Sequence, residues 1–390
     1  MNQSLFVGRE IELYELGKIL LNPYGGRRII FIVGDAGVGK TTLLKRMLDE
    51  ANAAGYVASR EPIDLFSTDY RHIDGIQWKI KEVIETITGL KDDASPFAGW
   101  VEGKTDTSEK FYTYLKAFCE KTPLVLAFDT FENLDWVASD WLFKGEPDGL
   151  QAPGLICIIA GREKEDIEKY RENPLVREIR ISGFTFEEVE ALYWKITDQF
   201  KLNYIDPLED LLRVAGLSAP ISHESEIEWI RKVTNGNPLC LEMVFRWLGT
   251  LLGGGSLQGL TPDRFEERLM MEVRELAERE QLDAGAGKRI SRPVYDTLLC
   301  MAYVTRRFDE DFLRHLIEKK LIGLDDPAVT RQDIISNLER YFFVKVRQGN
   351  AGHKVLQLHD EMARLVREYV WPYYDHSGEK KQALLEAVDE

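Results

Sequence analysis

The chain has 390 residues, too many for one ordinary hydrophobic core, so several domains are expected. Its 50 Lys and Arg stand against 66 Asp and Glu, a net charge of −16 that argues against broad, non-specific binding to DNA or an anionic membrane. Apolar residues make up 44% and charged residues 30%, as in folded globular proteins, and no apolar run is long enough to span a bilayer.

The N-terminus has no basic-then-apolar signal region, so a cytoplasmic protein is expected. Leu5-Phe6-Val7-Gly8-Arg9-Glu10 precedes Ile11, Leu13, Leu16, Ile19 and Leu20, which recur at helical spacing. The turn Asn22-Pro23-Tyr24-Gly25-Gly26 leads into a first strand, Arg28 to Val33. A glycine-rich loop and a helix start, Lys40-Thr41-Thr42, follow it. Gly34, Gly39, Lys40 and Thr41 fit the spacing G-x-x-x-x-G-K-[ST], with Gly37 inside the loop. Glycine lets a backbone turn its N–H groups toward an anion. Gly34, Ala36, Gly37, Val38, Gly39, Lys40, Thr41 and Thr42 are therefore the candidate phosphate cradle. The helix adds its positive N-terminal end. Lys40 can reach the outer phosphates, and the Thr41 hydroxyl can ligate Mg²⁺. The preceding strand and following helix are the context this motif requires, so a nucleoside triphosphate site is expected.

Gly55 to Ala58 reads as a second strand, Ile73 to Ile87 as a helix, Gly89 to Thr107 as a loop and Phe111 to Phe118 as a helix. Strands alternating with helices predict a parallel sheet with helices on both faces, the α/β P-loop NTPase class. Leu124-Val125-Leu126-Ala127-Phe128-Asp129 is an apolar run ending in a carboxylate, the Walker B pattern. A buried parallel strand would deliver Asp129 beside the loop, where it can hold Mg²⁺ through water. Glu132 lies three residues on; it can polarise the attacking water or cap the next helix. Gly154 to Arg162 is a further buried strand ending in an arginine, and Val176 to Ile181 alternates like an edge strand.

From Phe184 the pattern is helical. Thr185-Phe186-Glu187-Glu188 starts like a capping box. Ser225 to Val233 reads as a helix, and Asn235-Gly236-Asn237-Pro238 places Pro238 at the first position of another. Gly253-Gly254-Gly255 and Pro262 mark a boundary before a charged helix expected from Asp263 to Glu280, and a loop follows at Asp283 to Gly287. Helices at Ser291 to Tyr303, Asp309 to Glu318 and Thr330 to Leu338, then strands at Tyr341 to Val346 and Lys354 to Leu358, predict a winged helix. Its third helix sets Arg331 and Arg340 against Asp333 and Glu339, a neutral balance that disfavours DNA reading. Leu358-His359-Asp360 closes the wing, a helix is expected from Glu361 to Tyr369, and the tail from Asp375 is polar and helical in character. Cys119, Cys157, Cys240 and Cys300 are far apart with no C-x-x-C pair, and read as buried thiols of a reducing compartment rather than a metal site.

Phe6-Val7-Gly8-Arg9-Glu10 resembles the adenine-side motif of AAA+-related P-loop ATPases, in particular the STAND class (signal-transduction ATPases with numerous domains). The resemblance extends from Phe6 to near Tyr374. It implies that Phe6 and Val7 pack over the base and that Arg9 lies near the sugar or phosphates; an ordinary helix start with a surface arginine has the same sequence. The strand ending at Arg162 resembles sensor 1 of that class, whose arginine senses the γ-phosphate. A planar, always charged guanidinium suits the task, though a pairing with Glu163 or Glu165 fits the sequence too. Asn235 to Leu241 resembles the G-x-P motif, which implies that Pro238 lies against adenine. Leu358-His359-Asp360 resembles the Met-His-Asp motif, with Leu358 for the methionine, and implies that His359 contacts the β-phosphate of ADP. Many members carry a second acid directly after the first; here Thr130 stands at that position.

The resemblance implies a P-loop nucleotide-binding domain over 1–183, an all-α, lid-like helical domain over 184–282, a winged-helix domain over 283–374, and a polar tail over 375–390 that begins a missing C-terminal sensor. It implies a switch, closed with ADP and open and homo-oligomerising with ATP, reset by slow Mg²⁺-dependent hydrolysis. Lys40, Asp129, Glu132 and Arg162 would be its catalytic set. An unidentified protein or ligand would trigger it; neither a membrane nor DNA is an expected partner. The alternative is an origin-recognition-like or transcription-regulator ATPase that grips DNA with its winged helix.

Overall fold

The computed structural model describes residues 6–66, 70–90, 95–98, 100, 107–145, 149–163, 168–200, 227–228, 230–232, 234–242, 244, 291–304, 308–324, 328–339, 341, 343–348 and 354–389. The expected linker at 253–262, the charged helix at 263–280, the loop at 283–287, Arg340 and Glu165 lie outside the described residues. Two compact units meet at Gly183 and Phe184 in the sequence. Among the described residues, no helix is long and apolar enough to cross a membrane.

The first unit begins with α1 (Glu10–Leu20), β1 (Ile29–Val33), α2 (Lys40–Ala53), β2 (Val57–Ala58) and β3 (Ile63–Asp64). It continues with α3 (Ile73–Thr88), α4 (Thr107–Lys121), β4 (Leu124–Asp129), α5 (Trp136–Phe143), β5 (Leu155–Gly161), α6 (Glu168–Arg171) and β6 (Val176–Arg180). The strands form one sheet in the order β2-β4-β5-β1-β6, with β3 beside β4, and every pairing is parallel. All residues of β1, β4 and β5 are buried. A strand covered on both sides has no polar face to show, so these read as unbroken apolar runs. Their side chains alternate between two cores. Phe31, Phe128 and Ile159 pack with α3, α4 and α5 on one face. Ile32, Ala127 and Ala160 pack with α1 and α2 on the other. The small Ala127 and Ala160 let α2 lie close to the C-terminal ends of β4 and β5, and this proximity brings its first turn to Asp129.

Helix α4 starts at Thr107 rather than at Phe111, and β3 carries no signal in the sequence. Both strands β2 and β3 have two residues, too few to show a period. Buried Cys119 and Cys157 carry thiols that burial pushes above their ordinary pKa, to about 12 for Cys157.

In the second unit α7 (Phe186–Phe200) opens with a capping box: Thr185 N–H donates to Glu188 Oε2 at 2.8 Å, and Glu188 N–H to Thr185 Oγ1 at 3.3 Å. Later come α8 (Ser291–Met301), α9 (Glu310–Glu318) and α10 (Arg331–Leu338), then the antiparallel hairpin β7 (Val344–Gln348) and β8 (Lys354–Leu358). An isolated antiparallel bridge joins Phe308 to Leu356. This is the element order expected of a winged helix. Strand β7 begins at Val344, not at Tyr341, because Tyr341 N–H still turns back to the Leu338 carbonyl. Helix α11 (Asp360–Leu365) runs through a π turn at Val366–Val370 into α12 (Trp371–Tyr374), and α13 (Glu379–Asp389) ends the chain. Pro372 lacks the N–H a regular helix would use there, which accounts for the irregular turn.

Candidate functional site

The loop between β1 and α2 is shaped by its glycines. Gly37 and Gly39 take φ values of 80° and 94°, in the left-handed region. Gly34 has a different reason: a Cβ there would lie 2.6 Å from the Ile181 carbonyl oxygen. Gly39 precedes α2 without any side-chain cap, so the helix offers its first N–H groups to the loop. Lys40 Nζ reaches back across the loop and donates to the carbonyl oxygens of Gly34 and Asp35, each at 2.7 Å. The ammonium is thereby held over the loop. Ala36, Val38 and Thr42 complete the turn and the helix start.

Strand β5 lies between β1 and β4, so Asp129 is two strands from the loop, not in the adjacent strand. The gap is closed by α2: Thr41 Oγ1 donates to Asp129 Oδ2 at 2.6 Å. A hydroxyl and a carboxylate oxygen are hard donors, and Mg²⁺ commonly takes one or two such protein ligands with water and phosphate in its other positions. The donor set therefore fits Mg²⁺. Thr130 and Asp64 also shape this end, and of the two only Asp64 is not singled out in the sequence. Thr130 N–H donates to Asp129 Oδ1 at 2.9 Å, and Thr130 Oγ1 lies 2.7 Å from Asp64 Oδ1. Asp64 comes from the short β3, whose two residues give no motif by which it could be found.

Glu132 sits in a single 3-10 turn, Phe131–Asn133. It does not cap α5, because Asp135 does: its side chain accepts from Ala138 N–H at 2.7 Å. Glu132 Oε2 instead accepts the Arg162 N–H at 3.1 Å, and the guanidinium stands 3.5 Å from Oε1. Arg162 is thus not paired with Glu163, which binds Arg171 and Arg180. Gly161 makes this approach possible, since a Cβ there would meet Phe131 Cβ at 2.9 Å and Glu132 Oε2 at 3.0 Å.

Arg9 is buried, and both it and Gly8 are left-handed, at φ 68° and 65°. Its guanidinium donates to the carbonyls of Val38 at 3.1 Å and Ser182 at 2.7 Å. A surface arginine is excluded; the side chain is beside the loop, on backbone oxygens. Val7 is buried and Phe6 packs against the core under α2.

Pro238 is buried and begins a helix, with the Asn237 side chain accepting from Leu239 N–H at 3.0 Å as its cap. His359 is half-buried at the start of α11; its N–H donates to the Phe343 carbonyl at 2.8 Å. Both belong to the second unit.

The profile described as AAA ATPase domain matches residues 5–142, a span that includes Phe6, Arg9, the loop, Asp129 and Glu132 and ends before Arg162. No curated protein sequence matches the chain. Among solved structures it is similar to the Aeropyrum pernix ORC2 protein in its ADPNP–ADP complexes, at 12% identity and TM-score 0.41 over 98% of this chain and 94% of that one. It is similar to Drosophila ORC bound to DNA at 14% identity and TM-score 0.40, over 93% and 95%. A third is the Thermotoga maritima RuvB Holliday junction branch migration motor, at 14% identity and TM-score 0.36, over 90% and 92%.

Proposed function

We propose, from the premise that residues 5–142 form an AAA ATPase domain, that the protein is an ATP/ADP-binding molecular switch that hydrolyses ATP slowly. The observation that carries the reading is the 2.6 Å bond between Thr41 and Asp129, which joins the loop to the carboxylate strand across β5. Mg²⁺, when bound, would neutralise phosphate charge and order the outer phosphates. The chain supplies the rest. Lys40 exchanges the Gly34 and Asp35 carbonyls for phosphate oxygens. Glu132, once released by the Arg162 N–H, accepts a proton from the attacking water. Arg162 meets the γ-phosphate.

The switch itself rests on the resemblance to STAND ATPases. In that reading ADP engages Lys40, Pro238 and His359 and favours a closed form, while ATP favours an open form that homo-oligomerises. A ligand equal in both states shifts nothing, so the differential contact must lie at the γ-phosphate, with Arg162 its sensor. The domains at 184–282 and 283–374 would be the moving parts.

The test is the nucleotide that co-purifies. ADP in the parent and none in Lys40→Ala is the expected result; equal retention by both would sink the reading. A single turnover with retained ADP separates a switch from a motor. A DNA electrophoretic shift at physiological salt, with and without ATP, tests the winged-helix alternative, against which net charge is the main argument.

A further inference from the structure

Thr130 is β-branched and left-handed, at φ 59° and ψ 42°, directly after Asp129. Such side chains are outliers in that region, and the conformation persists only where its surroundings hold it. Two bonds do so. The Thr130 N–H donates to Asp129 Oδ1 at 2.9 Å. The hydroxyl lies 2.7 Å from Asp64 Oδ1 and 2.7 Å from the Asp129 carbonyl oxygen. It has one proton for two acceptors, and the charged carboxylate is the stronger of them.

Asp64 is itself fixed. It stands in register with Asp129 on the neighbouring parallel strand, and Leu65 N–H donates to the Asp129 carbonyl at 3.0 Å. Its Oδ1 also accepts the Phe66 N–H at 3.0 Å. The consequence appears at Asp129. One carboxylate oxygen is occupied by Thr130 N–H, which leaves the other aimed at Thr41.

We propose that Asp64 is a positioning residue of the cation site: through Thr130 it fixes the orientation in which Asp129 serves Mg²⁺. The proposal rests on the ATPase reading above. Without the Asp64 carboxylate the Thr130 hydroxyl turns to its own chain, the left-handed turn relaxes, and Asp129 is free to rotate. Losing a group that orients a ligand residue commonly weakens metal binding about 10- to 100-fold.

The experiment titrates Mg²⁺ against ATP hydrolysis by the full chain, at saturating ATP, beside binding of a fluorescent ADP analogue in EDTA. Asp64→Ala should raise the half-saturating Mg²⁺ about tenfold and leave Mg²⁺-free ADP binding unchanged. Asp64→Asn keeps an acceptor oxygen and should restore most of the loss. Thr130→Gly adopts the left-handed turn without strain and keeps the N–H on Asp129. In that background Asp64→Ala should shift the Mg²⁺ midpoint by no more than about twofold. Equal shifts in both backgrounds, or none in either, would overturn the proposal while ATP hydrolysis by the parent still stands. A parent that binds no nucleotide overturns both readings together. If Asp64→Ala does not fold, Thr130→Val reads the same bond from its other partner: about a tenfold shift supports the proposal and none refutes it.

Discussion

The loop of Gly34 to Gly39 and the C-terminal end of β4 face each other across the site, and they are built differently. The loop presents backbone: two glycines in left-handed geometry, a third pressed against Ile181, and an uncapped helix start. The end of β4 presents side chains, each oriented by a partner from elsewhere in the sequence: Asp129 by Thr41 and Thr130, Thr130 by Asp64, Glu132 by Arg162. A backbone site is specified by local conformation. A side-chain site is specified by tertiary structure, so its precision depends on residues far from the reacting atoms.

That contrast can be tested by substitution. The largest effect short of Lys40→Ala is expected at the side-chain end. Glu132→Gln keeps an acceptor for the Arg162 N–H but removes a proton acceptor, so ATP should still bind while turnover falls about 100-fold or more. Unchanged turnover would leave Glu132 a structural partner only. At the backbone end, Gly34→Ala forces a methyl group to within 2.6 Å of the Ile181 oxygen. Overpacking of this kind costs about 1–3 kcal/mol, read as a lower melting temperature together with weaker nucleotide binding. A fully stable Gly34→Ala protein would show that the loop yields more readily than its packing indicates.

The smallest effect serves as a control away from phosphate. Burial raises the Asp140 carboxyl, but hydrogen bonds from Lys169, Tyr170 and Lys144 outweigh it and hold the pKa at about 2, below the ordinary 3.8. A carboxylate with a depressed folded pKa stabilises the protein above its unfolded value and loses that contribution as pH falls. Asp140→Asn should therefore cost about 1 kcal/mol or less near neutrality. The difference from the parent should fade between the ordinary value and about 2, with nucleotide affinity unchanged. A shift in affinity would tie α5 to the site after all.

How much could be read in advance follows the same division. The strands β1, β4 and β5 were legible because burial on both faces leaves continuous apolar runs, and the loop because glycine spacing is local. Asp64 was not, since two residues carry no period and its partner lies 66 positions away. Glu132 reads in the sequence as either a base or a helix cap; Asp135 takes the cap of α5, and Glu132 accepts the Arg162 N–H instead. Arg162 is followed by Glu163 in the sequence, yet the fold gives Glu163 to Arg171 and Arg180 and sets Glu132 beside Arg162. Local signals name the element; only the register of the sheet names the partner.

Arg9 has one further consequence. A single guanidinium grips the oxygen of Val38, inside the phosphate loop, and that of Ser182, two residues before the second unit begins. Any displacement of Val38 must drag Ser182 along or break a buried bond. The rim of the cradle and the chain's exit from the sheet are thus yoked, and a strain arising at one is felt at the other.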